Sequence, residues 1–115
     1  MAKVGDTYPV DFKVSFITIG VTTWSTDTVK ALVTKWLEGN LEKKAIAAVG
    51  SKFIPGIGWA SWAAAGVGAI GSYMGYSGIK GTMTMEYVKI EKHQAGQTFT
   101  IEGWRPKKIS ISCYK

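Results

Sequence analysis

A run without one charged side chain, FIPGIGWASWAAAGVGAIGSYMGYSGI from Phe53 to Ile79, sits in the middle of a 115-residue chain whose formal net charge is +6. Such a run calls for cover, by protein or by lipid, yet its glycines argue against an ordinary core helix. Each glycine in a helix interior costs about 1 kcal/mol relative to alanine. Gly66, Gly68, Gly71 and Gly75 together ask for roughly 4 kcal/mol in return from close packing, a large share of a small domain's net stability.

Laid out as one helix over 57–77, advancing about 100° per residue, the run sorts into two faces. Trp59, Trp62, Val67, Ile70, Tyr73 and Met74 fall on one side; Ala60, Ser61, Ala64, Ala65, Gly68, Gly71, Ser72 and Gly75 fall on the other. The small face lets two helix backbones approach closely, held by dispersion contacts and weak Cα–H···O bonds. Ala60, Ala64, Gly68, Gly71, Ser72 and Gly75 are therefore the candidate helix-packing and oligomerisation positions. This arrangement predicts that Gly68→Leu or Gly71→Leu disrupts packing far more than Ala63→Leu. The large face offers Trp59 and Trp62, with Tyr73 and Tyr76, to a membrane interface, where rings with one dry and one wet end are favoured. About 20 apolar residues span a bilayer. A run poor in Leu, Ile and Phe suits conditional insertion better than a permanent anchor.

The flanking segments read as regular structure. Val10, Phe12, Val14 and Phe16 share one side of an alternating strand placed at 8–21. Ser25, Thr26 or Asp27 caps a helix whose apolar face runs Val29, Leu32, Val33, Trp36, Leu37. Gly39-Asn40 predicts a break and Leu41 a second helical piece, stopped by Pro55 because proline disfavours helix at the residue before it. "PGIG" then folds the uncharged run back, giving an apolar helical hairpin. After Gly78 the period becomes two: "GTMTMEYVKIEKH", a "QAGQ" turn, "TFTIEGW", an "RPKK" turn and "ISISCYK". The expectation is a single α+β domain over 1–115: an N-terminal strand, a helical region at 26–77, and a C-terminal three-stranded antiparallel meander at 81–115 that the first strand joins.

The stretch KAIAAVGSKFIPGIGWASWAAAGVGAIGSYMG, residues 44–75, resembles the glycine-zipper hydrophobic hairpins of bacteriocin-like and pore-forming bacterial toxins. The resemblance covers under a third of the chain and implies membrane insertion or oligomer assembly by the hairpin. The alternating strands on either side lie outside that pattern.

The charge balance favours anionic partners. Lys43, Lys44, Lys52 and Lys80 flank the uncharged run, and Arg105, Lys107 and Lys108 lie in "GWRPKK". All seven are candidate contacts for anionic membrane headgroups, where each nearby cation contributes about 1 kcal/mol. Nucleic acid is a weaker fit, because the lysines come in pairs rather than a long basic run. The N-terminal "MAKVGDTYPVDFKV" lacks the apolar core of a signal peptide. The expected setting is secreted or membrane-associated by a route needing no such signal, with the cytoplasm as the alternative. The single cysteine, Cys113, permits no internal disulfide and reads as a small strand hydrophobe.

Catalytic chemistry has little to draw on, and no cofactor or metal is expected. His93 is the only histidine, and no Cys/His cluster has metal-ligand spacing. Glu86 and Glu91 sit five apart on one strand, hence on opposite faces, and make a poor acid–base pair. "GVGAIG" follows no strand, so it is not a dinucleotide fingerprint. Two functions fit: a small cationic membrane-active protein of bacteriocin or pore-forming type, homo-oligomeric through the small face, or a self-assembling structural protein using that face without lipid.

Overall fold

The computed structural model describes residues 2–115, in the order β1 (Thr7–Ser15), α1 (Thr26–Val49), α2 (Trp59–Gly68), β2 (Gly78–Gln94) and β3 (Gln97–Tyr114). The architecture is α+β in two layers: one antiparallel sheet in the order β1-β2-β3, with both helices packed on one of its faces. The core lies between the layers. Val10, Phe12 and Val14 of β1, Ile79, Met83, Met85 and Tyr87 of β2, and Trp104 and Ile111 of β3 face it. The other face of the sheet is open.

Helix α1 begins where Ser25 Oγ accepts the Thr28 N–H at 3.1 Å. It runs unbroken through Gly39-Asn40, the predicted break. Val29, Val33, Leu37, Leu41 and Ala45 recur every fourth residue and are all buried. Burying that stripe outweighs the roughly 1 kcal/mol that exposed Gly39 costs. Asn40 stays helical while its Nδ2 donates to Trp36 O at 2.8 Å. Gly50 ends the helix, its N–H on Ile46 O at 2.9 Å.

Helix α2 is only 10 residues long, about 15 Å at 1.5 Å per residue, where the sequence predicts a helix over 57–77. Gly68 and Gly71 would present a Cβ to open space, so no close contact returns the cost of glycine and the helix stops. Residues 69–77 cross to β2 as a connection, with Gly75 at φ +82°, dropping Ile70 and Tyr73 into the core. Among the described residues, no helix is long and apolar enough to cross a membrane.

The C-terminal half is two long strands rather than three short ones, so β1 completes a sheet of three. "RPKK", read as a turn, lies within β3. The register jumps there from Met85↔Pro106 to Thr84↔Lys108, leaving Lys107 as the extra residue of a bulge. The bulge resets the alternation: Trp104 and Pro106 face the core before it, and Ile111 after it, while Lys108 stays outside. Trp104 turns its N–H and C=O to the outer edge, toward Lys52 O and Ile54 N. Two residues on, Pro106 lacks its N–H on that same edge, where no ladder bond is lost.

β1 pairs with β2 only as far as Thr7↔Glu86. Beyond it, residues 88–94 and 97–102 continue as a two-stranded arm, with Gly103 at its base against Phe53 and Ile54. The molecule is consequently elongated, 53 × 29 × 20 Å.

Candidate functional site

The functional features of this fold sit at its two ends. At the end opposite the arm, β1 finishes, α1 starts and β2 starts, so two connections meet, residues 16–25 and residues 69–77. Phe16, 1% exposed, joins them. Its ring lies 5.4 Å from that of Trp24, edge-on at 86°, and 5.9 Å from that of Tyr73. Phe16 N donates to Ser77 O at 2.9 Å, tying one connection to the other.

Burying Phe16 leaves its neighbours outside. Ile17, next in the turn, is 86% exposed; Met74 is 71% and Trp24 46% exposed. Trp24 and Met74 line one small cleft with Thr26, Val29, Ser72 and Tyr73. Residues 14–26 carry no charge, and neither do residues 53–79. The fold thus brings two separate uncharged runs into one tip that shows three large apolar side chains to solvent. Asp27, in the first turn of α1, is the nearest carboxylate along the chain.

Behind the tip stand cations. Lys13 and Lys80 are directly opposite across β1 and β2, and Lys80 faces Ser112 on β3. Like charges so placed repel, and neither lysine is in an ion pair among the described residues. Lys13 Nζ lies 4.4 Å from the centre of the Tyr114 ring, and Lys115 Nζ 5.9 Å from that of Tyr76. Asp11, one row further back, bonds Thr82 Oγ1 at 2.7 Å. Lys13 lies two residues before the end of β1 at Ser15.

The other sequence-predicted positions are not brought together. Ala60, Ala64 and Gly68 are exposed on α2, while Gly71, Ser72 and Gly75 are exposed in the connection after it, off any helical ridge. Close packing is carried instead by Ala63, fully buried, and by Gly66, which reverses the predicted ranking of Gly68, Gly71 and Ala63. Trp59 is half-buried, its ring edge-on to Phe53 at 5.7 Å. Trp62, also half-buried, lines a groove with Ile54, Pro55, Glu86 and Arg105. Tyr76 is half-buried and Tyr73 is in the core, its hydroxyl without a partner. Burial pushes the Tyr73 hydroxyl up to about 12 and raises the Cys113 thiol.

The predicted cations scatter likewise. Lys43 and Lys44 border a groove under the second half of α1 with Tyr8 and Asp11. Arg105 and Lys107 both pair with Glu86, at 3.6 and 3.7 Å. Lys52 lies over the Tyr87 ring at 5.6 Å, and the nearby Tyr87 hydroxyl raises its pKa. Lys108 opposes Thr84 on the open face. Only Lys80 belongs to the tip.

Comparison with protein-family models, characterised proteins and solved structures returns no match.

Ile17, Trp24 and Met74 do not stand out as a group in the sequence, nor do Lys13 and Lys115 beside them. The uncharged stretch at 14–26 was the available signal. Its meeting with Met74 depends on the chain path.

Proposed function

We propose that this chain is a small cationic membrane-active protein that engages anionic lipid with its uncharged tip. The observation that carries this reading is the pairing of exposed Ile17, Trp24 and Met74 with Lys13, Lys80 and Lys115 behind them. Exposed apolar side chains rimmed by cations suit the boundary between acyl chains and negative headgroups. Insertion is shallow in this fold: α2, about 15 Å long, falls short of the roughly 30 Å hydrocarbon core, and a pore of the bacteriocin or toxin type would require residues 53–79 to leave the sheet.

The test is binding to anionic vesicles and to zwitterionic vesicles, each loaded with dye. Co-sedimentation with anionic vesicles and a blue shift of tryptophan emission are expected. Dye release would add pore formation to surface binding. Absence of binding to either vesicle, at neutral and mildly acid pH, would sink the proposal. The self-assembly reading is kept because Ala60, Ala64 and Gly68 form an exposed small-residue face on α2; it predicts oligomers lost in Gly68→Leu, with no lipid needed.

A further inference from the structure

The arm has two edges of different character. Along β2 the residues Val88–Gln94, VKIEKHQ, put Lys89, Glu91, Lys92 and His93 on the strand, and charged side chains are what blunts an open edge. Along β3 the residues Gln97–Ile101, QTFTI, carry no charge and are rich in β-branched and aromatic types. Phe99 is 42% exposed. An unguarded edge of this composition is a template for another strand.

Backbone direction fixes what that edge offers. Trp104 faces outward, bonding Lys52 O at 2.9 Å and Ile54 N at 3.0 Å. By strand alternation Glu102, Thr100 and Thr98 also turn their N–H and C=O outward, and among the described residues no strand lies beyond β3. The cover from residues 52–54 reaches Trp104 and Gly103 and leaves residues 98–102 without cover. A two-stranded ribbon standing free is marginal in water, which makes this edge the part of the fold most in need of a partner.

We infer that the partner is a second copy, its β3 arm paired antiparallel to the first about a two-fold axis at Thr100. In that register Thr100 faces Thr100 of the second copy, and Thr98 faces Glu102 in both directions. These are the outward-facing positions, so the pairing makes about six backbone hydrogen bonds. Between them Phe99 meets Ile101 of the second copy, twice, in the closer non-hydrogen-bonded pairs favoured for aromatic and β-branched partners. Extended through the hairpin register, one face reads Lys89, Glu102, Thr98, His93 across four strands, with no like charges adjacent. The other reads Ile90, Ile101, Phe99, Lys92, an apolar row capped by a lysine stem. Centring on Ile101 loses a pair of bonds because Trp104 is already taken, and centring on Glu102 sets two glutamates face to face. Thr100 is the register that uses the whole free edge.

The experiment is sedimentation of the full chain from micromolar to millimolar concentration, with four variants. The wild type should pass from monomer to dimer. Thr100→Lys, which sets two lysines opposite each other at an exposed site, should raise the dissociation constant at least about tenfold. In a Cys113→Ser background, Thr100→Cys should form a covalent dimer under mild oxidation while Glu91→Cys, on the guarded edge, should not. A wild-type chain that stays monomeric throughout, a dimer indifferent to Thr100→Lys, or equal cross-linking by both cysteines would each overturn the assignment. A dimer lost instead in Gly68→Leu would move the interface to α2.

Discussion

Gly66 and Ile111 meet across the helix–sheet interface with no room for a methyl group between them. A Cβ on Gly66 would run into the end of the Ile111 side chain, 3.2 Å from its Cγ1 and 3.4 Å from Ile109 Cδ1. This contact seats α2 on β3. Gly66→Leu should destabilise the chain by about 1–3 kcal/mol through overpacking. Gly68→Ala, with open space before it, should stabilise by up to about 1 kcal/mol through helix propensity. Urea unfolding of the two variants checks the ranking, and equal effects would contradict the packing described.

The arm turns through Ala95 at φ +53° and Gly96 at φ +77°, both left-handed, as a two-residue hairpin turn of the mirror-image type requires. Alanine is costly in that region by about 1–2 kcal/mol, whereas asparagine tolerates it. Ala95→Asn should therefore tighten the arm by about 1 kcal/mol. Slower amide exchange for residues 88–94 and 97–102, with the core unchanged, is the expected signature.

Tyr73 places a hydroxyl in the core with no hydrogen-bond partner. Tyr73→Phe should be neutral or stabilising by up to about 1 kcal/mol at pH 7, since an unpaired buried donor is removed. The pH dependence has a definite sign. Burial raises the folded-state pKa to about 12, above the unfolded value near 10. Between those values the unfolded chain has lost a proton the folded chain still holds, so stability falls as pH rises from about 10 to about 12. The drop should be smaller in Tyr73→Phe. Parallel alkaline denaturation curves would show that Tyr73 ionises as it does in water.

The lipid proposal separates cations that sequence alone treats alike. Met74→Ser and Ile17→Ser should each weaken binding to anionic vesicles about tenfold, with little change in melting temperature, because both side chains stand in solvent. Lys13→Ala and Lys115→Ala should weaken it several-fold. Arg105→Ala and Lys107→Ala, whose charges Glu86 already holds, should leave it unchanged. If the Glu86 partners mattered and the tip residues did not, the lipid-facing surface would lie near Trp62.

These contrasts follow how far local pattern reaches. Val10, Phe12 and Val14 were legible as a buried strand face, a cap among Ser25, Thr26 and Asp27, and "QAGQ" as a turn, because each depends on near neighbours. Gly39 misled because a stripe of buried residues every four positions overrides one exposed glycine. The two-faced helix over 57–77 misled for the opposite reason: its small face meets nothing, so glycine's cost stops it at Gly68. Lys107 breaks the alternation of β3 by one residue, and in a sequence that looks the same as a turn. The tip was illegible because Ile17 and Trp24 come from one connection and Met74 from another, about fifty residues along the chain.

The arm and the tip stand at opposite ends of a molecule whose longest dimension is 53 Å. Two chains joined arm to arm, antiparallel, would carry their tips outward in opposite directions. Such a dimer cannot rest both tips on one flat bilayer; it has the shape of a tether between two. Anionic vesicles mixed with the wild-type chain should then clump as turbidity rises, whereas Thr100→Lys should coat them and leave them dispersed.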